Sequence, residues 1–170
     1  MRRCLTGLIL AMAVLGAVSA APASAVQTPV GHLGDTLRVT DPDNKFVADI
    51  TVADMAPSDV PPGFGYGPRW PHSRVYRANV VVRPLQMPNP YYLATVASFN
   101  GVTLTGDSYL PKNTDAPDAL QYALQNAPQG STVAGGVFWD CYRDLPSSVV
   151  LIDRRTGYHL AQWDITEALP

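Results

Sequence analysis

Apolar and polar residues alternate with a period of two along much of the chain. From 75 to 83, Tyr76, Ala78, Val80 and Val82 fall on one side, and Arg77, Asn79 and Arg83 on the other. From 46 to 55, Phe46, Ala48, Ile50 and Val52 share a side opposite Asp49 and Thr51. Successive side chains of a strand point to opposite faces, so such runs predict strands with one buried face. Short apolar segments recur between turn-rich connections, the pattern of an antiparallel sandwich or barrel. Strands are expected near 35–40, 46–55, 74–83, 91–99, 102–110, 132–142, 148–153 and 158–165.

The connections carry their own punctuation. Asp41-Pro42-Asp43-Asn44 predicts a tight turn between the first two strands, and Arg154-Arg155-Thr156-Gly157 a turn between the last two. The Pro- and Gly-rich segment from Pro57 to Pro71 predicts a long surface loop. One stretch breaks the β pattern: between Pro117 and Pro128, Leu120, Ala123 and Leu124 recur at helical spacing among good helix formers. It predicts a short helix over 118–125 inside a crossover between strands.

The N-terminus has a different character. Met1-Arg2-Arg3 is basic, Leu5 to Val18 is apolar, and Ala20 to Ala25 is made of small residues, which are the three parts of a secretory signal. Ala23-Ser24-Ala25 would free a chain beginning at Val26, with Val18-Ser19-Ala20 as the alternative cleavage site. The apolar run is shorter than the about 20 residues needed to span a bilayer, so no membrane insertion is expected. Acylation as a lipoprotein is disfavoured because Cys4 precedes the apolar run instead of following it. The expected organisation is a signal peptide at 1–25 and a single domain at 26–170, acting outside the cell, either free or held at its envelope.

Cleavage changes the chemistry of what remains. It removes Cys4 and leaves Cys141 alone, so no intrachain disulfide can form and the fold must rest on its core. It also removes Arg2 and Arg3, leaving 10 Lys and Arg against 14 Asp and Glu, a net charge of about −4. The basic residues do not cluster, which argues against nucleic acid or an anionic membrane as partner.

Candidate chemistry is sparse. Gly106-Asp107-Ser108-Tyr109-Leu110 is like the nucleophile block of GDS-type esterases, and such a serine needs a histidine base and an orienting carboxylate, for which His159 and Asp164 are the nominees. The block falls among strands in mid-chain, where Gly-Asp-Ser is also an ordinary turn. His32, His72 and His159 are isolated and show no zinc spacing. Asp41, Asp43 and Asn44 offer oxygens to calcium but lack the glycine and distal glutamate of an EF-hand loop. No metal or cofactor is therefore expected. Cys141 shares an apolar face with Val137 and Trp139, which predicts a buried, inert thiol. Phe64, Tyr66 and Trp70 in the long loop, with Tyr91 and Tyr92 further on, would form a stacking or docking platform if exposed together. They would equally serve as a lid over the open end of a sandwich.

Four blocks bear a family resemblance, in order along the chain. They are Leu33-Gly34-Asp35-Thr36-Leu37 with Thr40-Asp41; Val75-Tyr76-Arg77-Ala78 and Ser98-Phe99-Asn100; Pro128-Gln129-Gly130 followed by Gly135, Val137, Phe138 and Asp140; and Trp163-Asp164. Together they resemble the secreted immunogenic antigens of mycobacteria, whose domain is an immunoglobulin-like β-sandwich. The chain departs from them at the helical stretch 116–127, at Cys141 and in the short tail after Asp164. The resemblance implies an all-β, immunoglobulin-like antiparallel sandwich of about eight strands with one short helix in a crossover. It implies secretion and immunogenicity, and it supplies no established activity and no site residues to carry over. The functional expectation is a monomeric, non-enzymatic protein that meets a host or cell-envelope protein or glycan. The alternative is a small GDS-type esterase using Ser108.

Overall fold

Alternation along the sequence becomes two facing sheets in the computed structural model, which describes residues 28–43, 45–65 and 73–165. In chain order the strands are β1 (Val30–His32), β2 (Thr36–Thr40), β3 (Val47–Ser58), β4 (Arg74–Gln86), β5 (Ala97–Thr103), β6 (Ser108–Tyr109), β7 (Val133–Cys141), β8 (Pro146–Asp153) and β9 (His159–Asp164). One sheet has the order β1-β9-β8-β5-β6 and the other β2-β3-β4-β7. Neighbours pair antiparallel, except that β1 runs parallel to β9. Two short helices, α1 (Tyr92–Val96) and α2 (Leu120–Gln125), complete the described elements.

The alternating positions build the core between the sheets. Phe46, Ala48, Ile50 and Val52 are fully buried, as are Tyr76, Ala78, Val80 and Val82 on the paired strand. The opposite sheet contributes Phe99, Val149, Leu151, Ala161 and Trp163. Two buried indoles retain partners for their N–H groups: Trp139 Nε1 donates to Phe99 O at 3.0 Å and Trp163 Nε1 to Asp35 O at 3.0 Å. The first of these bonds ties β7 of one sheet to β5 of the other. In β3 the pairing register shifts between Val52 and Asp54, so Ala53 is an extra, exposed residue and Met55 takes the next inward position. A bulge of this kind switches the inward face from even to odd residue numbers.

Three expectations from the sequence are corrected. Residues 91–99 do not form one strand, because Asn89 accepts the Tyr92 N–H through both its side-chain oxygen (2.9 Å) and its carbonyl (3.1 Å), which turns the chain into α1. Leu93 and Val96 then face inward at helical spacing, and the strand begins only at Ala97. Residues 102–110 likewise contain a turn: Thr103 N donates to Asp107 O, Asp107 N donates to Thr103 Oγ1, and Gly106 takes φ +88°. The third is β1, three residues too short to show alternation, which gives the described residues nine strands. The helix expected over 118–125 is present as α2, with Leu120 and Leu124 buried.

Candidate binding site

Both sheets have an edge on the same side of the sandwich: β7 ends one, and β5 with the two-residue β6 ends the other. An open edge exposes hydrogen-bonding groups and apolar interior, so it must be covered. Along β7, Lys112 N donates to Phe138 O at 2.8 Å and Gly136 N to Asp118 O at 2.7 Å, after which the chain turns inward as α2. Gly135 permits this approach. A Cβ there would lie 2.5 Å from Leu120 Cα and 2.8 Å from Leu120 N. From the other side α1 brings Leu93 into the same core as Leu120 and Leu124.

The two helices do not close the seam completely. Between α1 and the start of β5 on one side, and α2 and β7 on the other, lies a cavity of about 240 Å³. Leu93, Phe99, Leu120, Leu124 and Val137 give it apolar lining, and Tyr91, 41% exposed, also lines it. Lys112 and Arg154 line it as well, and no carboxylate does. Arg154 Nε donates to Ala97 O at 2.8 Å, so its guanidinium is held by the end of α1. Among the described residues neither cation has a carboxylate within salt-bridge distance. The site can therefore enclose a small apolar body and place positive charge beside it.

Of the aromatic residues singled out in the sequence, the three that are described do not assemble into one platform. Phe64 is buried: the turn Pro61–Gly63, with Gly63 at φ +68°, folds its ring onto Phe138, Val75, Ala116 and Ala119 on the outer face of β7. Lys112 Nζ sits 6.0 Å from that ring. Phe64 is thus part of a cover, and its reading as a contact residue is corrected. Tyr92 is half-buried and packs edge-on against Phe46 with ring centroids 6.3 Å apart. Tyr66 and Trp70 lie outside the described residues. Tyr91 remains as an exposed ring, at the cavity. Lys112, Arg154 and Leu93 were missed by reading the sequence; the one available signal was that Lys112 is one of only two lysines in the chain.

The esterase nominees stand apart. Ser108 is on β6 and His159 on β9, three strand spacings or roughly 14 Å across the sheet. Asp164 lies in the cross-strand row of Ser108 through Val102 and Ser148, while His159 pairs with Ile152 several residues along. Ser108 Oγ instead accepts a hydrogen bond from Asn100 Nδ2 at 3.1 Å, and Gly106-Asp107-Ser108 serves as the β5–β6 turn. His72 lies outside the described residues, among which no cluster of His, Cys, Asp and Glu fit to hold a metal occurs. At Asp41 and Asp43 the neighbouring cations are side chains: Arg155 reaches their carboxylates at 3.5 and 3.6 Å and Lys45 Nζ lies 3.0 Å from Asp43 Oδ2, while Asn44 lies outside the described residues. Cys141 is buried, and burial, with the Asp140 carboxylate beside it, pushes its thiol up to about 12.

Among the described residues no helix is long and apolar enough to cross a membrane. No curated protein matches the chain. The crystal structure of MPT63, a secreted protein from Mycobacterium tuberculosis, has the same sandwich fold, with a TM-score of 0.61 at 22% identity, covering 82% of this chain and 99% of that one. The likeness to mycobacterial secreted antigens read from the sequence therefore holds at the level of the fold, and at this identity it transfers no residue roles. Residues 28–162 match a family described as a domain of unknown function, DUF1942, and the chain belongs to that family.

Proposed function

We propose that this chain is an exported, non-enzymatic recognition domain whose contact site is the helix-capped cavity with Tyr91 at it. The observation that carries the reading is the cavity itself: about 240 Å³ lined by apolar core residues and by polar side chains that include two cations, at the seam where the sandwich would otherwise close. Pockets with an apolar lining and a few polar groups are where small groups are bound. Export is supported by the basic start, apolar run and Ala-x-Ala site of residues 1–25, and by likeness to a protein described as secreted. The partner is then a host or envelope molecule that presents a small group to the cavity.

Two measurements test this. N-terminal sequencing of protein recovered from culture filtrate should read from Val26 or from Ala21; protein found only in the cytoplasm with residue 1 intact overturns export. For the site, a fragment library titrated into the labelled mature domain should shift the amide resonances of Ala94, Asn113 and Gln121, all of which line the cavity. A library whose hits all map elsewhere, or that yields none, overturns the assignment of the contact site.

A further inference from the structure

Resting on that reading, we infer that the cavity selects a small carboxylate with an apolar body, such as a short-chain fatty acid or an aromatic acid. Three observations lead there. The first is size: about 240 Å³ lies just below the range of typical small-molecule sites, about 300–1,000 Å³, so it suits a small ligand or one group of a larger one. The second is the lining. Leu93, Phe99, Leu120, Leu124 and Val137 belong to, or adjoin, the main core, so a ligand among them continues the sandwich interior. These residues favour a ligand that presents a hydrocarbon face to them.

The third observation is charge. The whole chain is acidic, yet the cavity is lined by two cations and no carboxylate. Arg154 is fixed through Nε by Ala97 O, which leaves the two Nη groups to donate. A guanidinium donating through paired N–H groups matches the geometry of a carboxylate. Lys112 is half-buried, its backbone is fixed by the bond to Phe138 O, and its ammonium lies over Phe64. Of the other polar side chains at the cavity, Ser98 Oγ donates to Asn100 Oδ1 at 2.7 Å and Gln121 Nε2 to Thr114 O at 3.2 Å, and Asn113 lines it as well. Positive charge beside apolar core residues is complementary to an amphipathic anion and repels a cation of the same size.

The test uses matched probe pairs on the mature domain: benzoate with benzamide, and hexanoate with hexanamide. Each pair keeps the body and removes the charge. We expect both acids to bind about tenfold or more tightly than their amides, as a charge-assisted pair requires, and their affinity to fall with added salt. Lys112→Met and Arg154→Gln should each remove about tenfold from acid binding and weaken amide binding by a clearly smaller factor. Arg154→Lys, which retains a cation, guards against loss of the Ala97 contact, and a thermal melt of each variant confirms folding. Amides that bind as tightly as acids overturn the carboxylate inference and leave the recognition reading standing. If neither acids, amides nor any other fragment perturbs the cavity, both fall.

Discussion

Cys141 shows how much one residue's surroundings decide. It is the lone cysteine among the described residues, and an odd thiol in an exported protein invites a role in dimerisation or redox chemistry. Its place on β7 argues otherwise: it is 3% exposed beside Trp139 and Val137, and desolvation, with the Asp140 carboxylate adding to it, pushes the thiol up to about 12. The thiolate is the reactive form, so at pH 8 the native protein should resist a thiol reagent and react only as it unfolds. Rapid stoichiometric labelling of the native protein would overturn this. Alternation around Cys141 made this legible in the sequence. The burial of Phe64 was not, because it depends on Phe138 on the second face of β7. A period-two pattern assigns one face to the core and leaves the other to solvent. Here the crossover that contains α2, together with the Pro61–Gly63 turn, covers that second face.

At the scale of elements, what could be read was what local physics settles. The β3 and β4 faces emerged because all their inward residues up to the bulge are apolar and their register is continuous from Ala48 to Val52. α1 did not, because five residues are decided by the Asn89 turn ahead of them and not by period. α2 was legible as a helix, yet its destination was not. Six residues make no stable helix alone, and Ala119 at its start supplies no side-chain cap. Its stability comes from docking on β7, and Gly135 sets the distance. The Cβ of Gly135→Ala would meet Leu120 backbone at 2.5 Å, where nothing flexible can yield. We expect Gly135→Ala to cost about 1–3 kcal/mol, the range for overpacking, read as an earlier midpoint in chemical unfolding. Because α2 also walls the cavity, the same variant should lose fragment binding there. An unchanged midpoint would mean that α2 docks with more freedom than this distance allows.

For the molecule as a whole, the question is what holds two sheets together without a disulfide. At the seam the answer is Trp139, Lys112 and α2; at another edge it is Arg155. This side chain reaches Asp153 Oδ2 at 3.1 Å, at the β8–β9 turn of one sheet, and Asp41 Oδ1 at 3.5 Å, at the β2–β3 turn of the other. Both carboxylates are nearly inaccessible, at 2% and 1% exposure. Burial alone would raise the Asp153 carboxyl. The Arg155 guanidinium and the N–H groups of Arg155 and Thr156 outweigh it and hold Asp153 below the ordinary carboxylate range. A carboxyl with a folded-state pKa below its unfolded value stabilises the fold while ionised. That contribution is complete above the unfolded pKa and is lost as pH falls through the folded value. Asp49, held down by its hydrogen bonds from Arg38, acts in the same direction. Stability should therefore show no loss from these groups between pH 7 and pH 5 and should fall below about pH 4. Asp153→Asn keeps the shape but cannot ionise, so it should be less stable at pH 7 and show a shallower decline into acid. Urea unfolding of both proteins at pH 7, 5 and 3 separates the cases, and parallel declines would show that the acid sensitivity lies elsewhere than at this junction of the two sheets.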